Sequence, residues 1–188
     1  MVDFKQKEKY DINDLLEIMR LLRAPGGCPW DAQQTHMSIR KNLIEETYEV
    51  IEAIDKDDKE LMTEELGDLL MQVVFHAQME QEAGNFDFSD VTDGVCKKLI
   101  ERHPHVFGEV EVSGVGDVLN NWDAIKRLSK GQKKGSEPML SIPRELPALM
   151  RATKIQQKAA AVGFDWDDVS GAQQKVLEEA KELSEAIE

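Results

Sequence analysis

The chain is short of positive charge, of aromatic rings and of cysteine, and each shortage narrows what it can be. Its 23 Lys and Arg stand against 37 Asp and Glu, a formal charge of −14. Direct binding to nucleic acid is therefore not expected, because affinity for a phosphate backbone rests on clustered cations. A polyanionic small molecule would need a bound cation to approach such a surface. Only Cys28 and Cys96 are present, with no CxxC pair and no disulfide framework, which fits a reducing compartment. Both read as small buried residues. No apolar run approaches the ~20 residues that cross a bilayer. The start, Met1 to Asp14, is polar and of mixed charge rather than a basic stretch followed by an apolar one. The expectation is an untargeted, cytoplasmic protein with no membrane contact.

Good helix formers are abundant instead. At 41% hydrophobic and 32% charged over 188 residues, the chain can build a core and stay soluble, and Leu, Ile, Met, Glu, Lys and Gln dominate its long stretches. Strand signals are nearly absent. Ile12, Leu15, Leu16, Met19 and Leu22 recur at helical spacing and stop before Pro25, ahead of a turn-rich segment from Ala24 to Asp31 in which Trp30 reads as packed on the core. A second helix is predicted over about Ser38 to Ile54, with Leu43, Ile44, Thr47, Val50, Ile51 and Ile54 on one face. A charged turn leads to a third, Lys59 to Glu82, whose buried stripe is Leu66, Leu69, Leu70, Val73, Val74 and Ala77. The short connection makes these two antiparallel neighbours. A fourth helix is expected from Asp90 to Arg102, an irregular or weakly extended piece from His105 to Gly116, and a fifth helix over Val118 to Leu128. Residues 129–147 read as a flexible linker, with Ser129 to Pro138 mixing Gly, Lys and Pro. Two further helices follow, from about Glu145 to Ala161 and from Ser170 onward.

The last helix repeats the second. Glu45-Glu46-Thr-Tyr-Glu49-Val-Ile-Glu52-Ala53-Ile54 returns as Glu178-Glu179-Ala-Lys-Glu182-Leu-Ser-Glu185-Ala186-Ile187, six of ten residues identical. Residues 1–128 are therefore read as one complete unit and 148–188 as the start of a second, incomplete copy.

Residues three apart on a helix share a face, so Glu46 with Glu49, and Glu65 with Asp68, form two carboxylate pairs on helices expected to be neighbours. Four converging carboxylates repel one another and either take up protons or bind a cation. An all-oxygen set favours Mg²⁺, Mn²⁺ or Ca²⁺. Gln72 and His76 continue the Glu65–Asp68 stripe. A di-iron carboxylate bundle is excluded, because it needs Glu-x-x-His. Gln33, Val73, Ile100 and Arg102 stand three residues before His36, His76, His103 and His105. Asp55 to Glu60 lacks the glycine and closing glutamate of an EF-hand loop, and no Walker-type loop or HExxH occurs. Cations gather later, at Lys97, Lys98 and Arg102, then Lys126, Arg127 and Lys130. Trp122 lies four residues before Lys126, so a ring and a charge can share a face.

Taken in series, Gly27-Cys28-Pro29-Trp30-Asp31, Gln34-Thr35-His36, Leu43-Ile44-Glu45-Glu46-Thr-Tyr-Glu49, Glu64-Glu65-Leu66-Gly67-Asp68-Leu69-Leu70 with Val73-Val74-Phe75-His76, and His103-Pro104-His105-Val106-Phe107-Gly108 resemble the MazG family. The resemblance covers most of residues 11–130, with order and spacing intact. It implies an all-α fold of antiparallel helical hairpins forming a bundle completed by dimerisation. It also implies Mg²⁺-dependent hydrolysis of nucleoside triphosphates to the monophosphate and pyrophosphate. On this resemblance Glu46, Glu49, Glu65 and Asp68 match the metal ligands. Lys98 and Arg102 match a phosphate-contacting segment, and Trp122 a nucleotide-side tryptophan. Lys126 is expected beside the phosphates. Glu45, next to the ligands although about 100° away on the helical wheel, is the candidate base. The family's frequent tandem copies account for the repeat. In the second copy Lys175 precedes the acids where the first has Asn42, which keeps open an alternative: a non-catalytic, dimerising module.

Overall fold

The computed structural model describes residues 4–118, 121, 122, 125, 139 and 141–187. Among them every regular element is a helix, and the chain divides into two compact units, Met1–Glu101 and Arg102–Glu188. No described helix is long and apolar enough to cross a membrane.

The first unit starts with α1, Ile12–Arg23. Asp11 caps it, accepting from Asn13 and Asp14 backbone N–H groups while Asp14 accepts from Asp11 N at 2.9 Å, a closed capping box. A short helix α2, Pro29–Gln33, occupies part of the segment read as turn, because Pro29 at its first position is already set for helix. Then come α3, Arg40–Asp55, and α4, Lys59–Glu82, packed against each other as the expected antiparallel pair, with α1 lying across α4.

The turn between α3 and α4 serves both helices. Asp58 N donates to Ala53 O and Asp57 N to Ile54 O, a Schellman closure with Asp57 at φ 53° in the position glycine usually takes. Asp58 is at once the N-cap of α4, accepting from Glu60 and Leu61 N–H. At the other end Gly84 (φ 74°) closes α4 in the same way, with Asn85 N bonded to Glu80 O.

The core is small. Met19 of α1, Ile39, and Val74, Phe75 and Met79 of α4 form it, with Leu15, Leu16, Met71 and Phe88 packed on its edge. Arg23, buried at the end of α1, pins the corner: it donates to Asp31 O and to both Glu82 oxygens and lies over the Phe75 ring.

Several expected core residues are not in it. Ala53 is the only buried residue of α3, while Ile51 is 42% and Leu66 50% exposed. The helical spacing marks an apolar face, but among the described helices α4 is the main cover for α3, and part of that face stays open. Cys96 is exposed, Cys28 only half-buried, and Trp30 is 59% exposed rather than packed. A further helix, α5, Phe88–Arg102, follows, and α6, Pro104–Phe107, stands where an extended or irregular piece was expected, again with a proline at its start.

Of the second unit, Val115 to Val118, Asn121, Trp122 and Ile125 are helical. The rest of the expected fifth helix, including Lys126, and linker residues 129–138 lie outside the described residues. The unit continues with α7, Ala148–Ala160, and α8, Val169–Ile187.

Candidate metal and nucleotide site

Glu46 and Glu49 project from α3, and Glu65 from α4, each offering a carboxylate oxygen within 4.8 Å of the others. The helical pairing sets this up: residues three apart on α3 face residues three apart on α4 across the hairpin. Asp68, half-buried one turn beyond Glu65, is outside that tightest group, yet its charge acts on both Glu46 and Glu65. Glu45 is exposed and does not join the cluster.

The electrostatics are those of uncompensated negative charge. Burial, a hydrogen bond with Glu49 and the charges of Asp68, Glu49 and Glu65 hold Glu46 above the usual carboxylate range. Burial and the charges of Glu49, Glu64, Asp68 and Glu52 do the same to Glu65. Among the described residues no Lys, Arg or His forms an ion pair with any of the four acids; the ion pairs of α3 and its turn go instead to Glu52 and Asp57. A divalent cation with oxygen-loving chemistry is what such a donor set fits.

The α4 stripe continues past the acids into polar groups of its own. Gln72, only 4% exposed, leaves Oε1 buried with no partner among the described residues, as His76 leaves Nε2. His76 is bonded to His36, a contact that no local spacing reveals because the two are forty residues apart.

Lys98 is exposed on α5. In the second unit Arg102 lies with its guanidinium carbon 5.4 Å from the centre of the Trp122 ring. The expected pairing of Trp122 with Lys126 falls on a residue outside those described; among the described residues Trp122 meets Arg102 in a cation–π contact.

The fold and site thus define an all-α protein whose acid-bearing hairpin suits a divalent cation. Residues 34–107 match the MazG nucleotide pyrophosphohydrolase domain, and the segment holds all four acids. Over 92% of its length the chain is 50% identical to the nucleoside triphosphate pyrophosphohydrolase/pyrophosphatase MazG of Thermotoga maritima and, again over 92%, 49% identical to the nucleoside triphosphate pyrophosphohydrolase of Escherichia coli. It spans 66% of the length of each of these curated relatives. A crystal structure of a mazG-related protein from Thermotoga maritima superposes with a TM-score of 0.52 at 29% identity, covering 62% of this chain and 99% of that one. The chain belongs to the MazG family.

Proposed function

We propose that this chain hydrolyses nucleoside triphosphates, ribo- or deoxyribo-, to the monophosphate and pyrophosphate, with Mg²⁺ as the required ion and Mn²⁺ as its substitute. The carrying observation is the group of Glu46, Glu49 and Glu65, close enough to share one ion and, among the described residues, in no ion pair with a protein cation, in a chain of this family. With Asp68 they would hold the metal, which when bound offsets triphosphate charge and acidifies a water.

The chain's own residues supply the rest of the proposed site. Lys98, Arg102 and Lys126 offset charge on the phosphates. Trp122 offers its face to the nucleoside, a role supported by the cation that Arg102 sets beside it. Glu45 is the proposed base for the attacking water, the carboxylate next to the ligand pair with no place in the cluster. The substrate is a free nucleotide, not a nucleic acid. The working form is proposed to be a homodimer, supported by the exposed apolar side chains Ile44, Tyr48 and Ile51 of α3 and Leu66 and Leu70 of α4. Unpaired Cys28 and Cys96 support a cytoplasmic setting.

The test is to incubate the chain with each NTP and dNTP in Mg²⁺ and measure pyrophosphate. Release is expected, and its loss when Glu65 and Asp68 are both changed to Ala. No release above that of the double variant overturns the catalytic reading. Asn42, where the repeated segment has Lys175, favours a second reading, a non-catalytic dimerising module; nucleotide binding without turnover is its signature.

A further inference from the structure

Two histidines fasten the segment leading into α3 to the body of α4. His36 Nδ1 lies 2.7 Å from His76 Nδ1, with ring planes 5° apart and centroids 5.0 Å apart. That centroid separation equals the Nδ1···Nδ1 distance plus the two ring radii, so the rings meet edge to edge in one plane rather than face to face. The N–H and the lone pair of an imidazole both lie in the ring plane, and this is hydrogen-bond geometry. One of the facing nitrogens carries a proton and the other does not.

The outer nitrogens decide which. His36 Nε2 is 2.6 Å from Glu80 Oε1, and Asn85 Nδ2 donates to Glu80 Oε2 at 2.7 Å. Those two contacts, Asn85's the larger, hold Glu80 below the usual carboxylate range. Ionised Glu80 only accepts, so His36 Nε2 donates. In its uncharged form His36 then presents a bare Nδ1, and His76 Nδ1–H donates to it. His76 Nε2 is left as a lone pair, which agrees with its burial without a partner. The other tautomer would bury an unpaired N–H there, the rarer of the two defects.

We infer that the chain of bonds from His76 through His36 to Glu80 positions the acid site, by fixing the start of α3 against α4 and so setting how Glu46 and Glu49 face Glu65 and Asp68. Burial anchors α3 against the rest of the unit at its two ends. Ile39 occupies the N-cap of α3 with no side-chain hydrogen bond, and Ala53, far along the helix, is the only residue of α3 that is buried. Glu46 and Glu49 lie between these two points. Ile39 packs in the core, and three residues before it His36 adds the polar tie to α4. Spacings of three, four and four from Glu65 through Asp68 and Gln72 to His76 put the tie on the same face of α4 as the acids. The two histidines touch neither metal nor substrate; they are positioning residues, and their consequence for metal binding rests on the function proposed above.

Long-range ¹H–¹⁵N spectra of the full chain at neutral pH are expected to show His76 protonated on Nδ1 and His36 on Nε2. His76→Asn keeps an N–H donor close to the place of Nδ1, and His76→Leu removes it. His76→Leu is expected to speed amide exchange over residues 40–46 and to weaken Mg²⁺ binding, measured by calorimetry, on the order of tenfold, the lower end for loss of an outer support of a metal site. His76→Asn is expected to restore both. The reverse tautomers, or wild-type exchange in a folded His76→Leu chain, overturn the inference. If the wild type binds no Mg²⁺, the metal reading falls, while the tautomers and the exchange rates still decide the role of the histidines.

Discussion

Glu46 of α3 and Glu65 of α4 bring carboxylate oxygens within 4.8 Å of each other across the hairpin, with Glu49 beside them. The fold holds these like charges together, so the site is a source of strain until a cation enters.

That strain has a sign that can be measured. Both groups are held above the ordinary carboxylate value of 4.5. Their burden on folding is therefore absent below that value and grows as pH rises through their raised values. In chelator, Glu46→Gln is expected to melt above the wild type at neutral pH and level with it in acid. With Mg²⁺ the order reverses, because binding to the native state stabilises only the chain that can bind. Calorimetric melting in both conditions checks it.

Arg23 is expected to dominate the stability of the first unit outside the apolar core. Its side chain, 7% exposed, donates to Glu82 at 2.7 Å and to Asp31 O at 2.6 Å. Arg23→Met keeps the apolar stem but strands those acceptors, and should cost about 2–3 kcal/mol in urea unfolding. Glu82 is held below the usual carboxylate range, first by Arg23. That contribution is present above the ordinary carboxylate pKa and is lost as pH falls through the depressed value. The gap between wild type and variant should narrow in acid.

The hairpin turn carries two separable effects. Asp57 sits at φ 53°, so Asp57→Gly relieves the left-handed backbone and should stabilise the chain by up to about 1 kcal/mol. Asp58→Ala removes the cap on Glu60 and Leu61 and should cost about 1 kcal/mol. Thermal unfolding of the two single variants distinguishes them.

Two glycines predict opposite outcomes. A Cβ on Gly27 would stand 2.2 Å from Leu21 O and 2.5 Å from Leu22 O. Backbone cannot yield as a side chain does, so Gly27→Ala should cost about 3 kcal/mol, the upper end for overpacking. A Cβ on Gly67, within α4, meets nothing within 4 Å, and Gly67→Ala should stabilise by about 1 kcal/mol. Chemical denaturation of both variants is the check.

Helix positions were legible in the residues themselves. Leu and Ile at helical spacing and Pro25 as a stop are local signals, and α1, α3 and α4 follow them to within a residue or two. Two segments differ from the expectation. Ala24 to Asp31 reads as turn and His105 to Gly116 as irregular chain, yet Pro29 and Pro104 each open a short helix, since a fixed φ serves turn and helix alike. The expected end of the fourth helix at Arg102 holds.

By itself the sequence determined the all-α class and the two carboxylate pairs, because apolar period and three-residue spacing both act within a turn or two of helix. Which groups meet across the fold was settled only in three dimensions. Trp122 meets Arg102, twenty residues away, and His36 meets His76 in one plane. Ile51 and Leu66 kept their apolar faces open. Periodicity states which side of a helix is apolar or charged, but partners forty residues apart are chosen by the packing of helices, which no local spacing encodes.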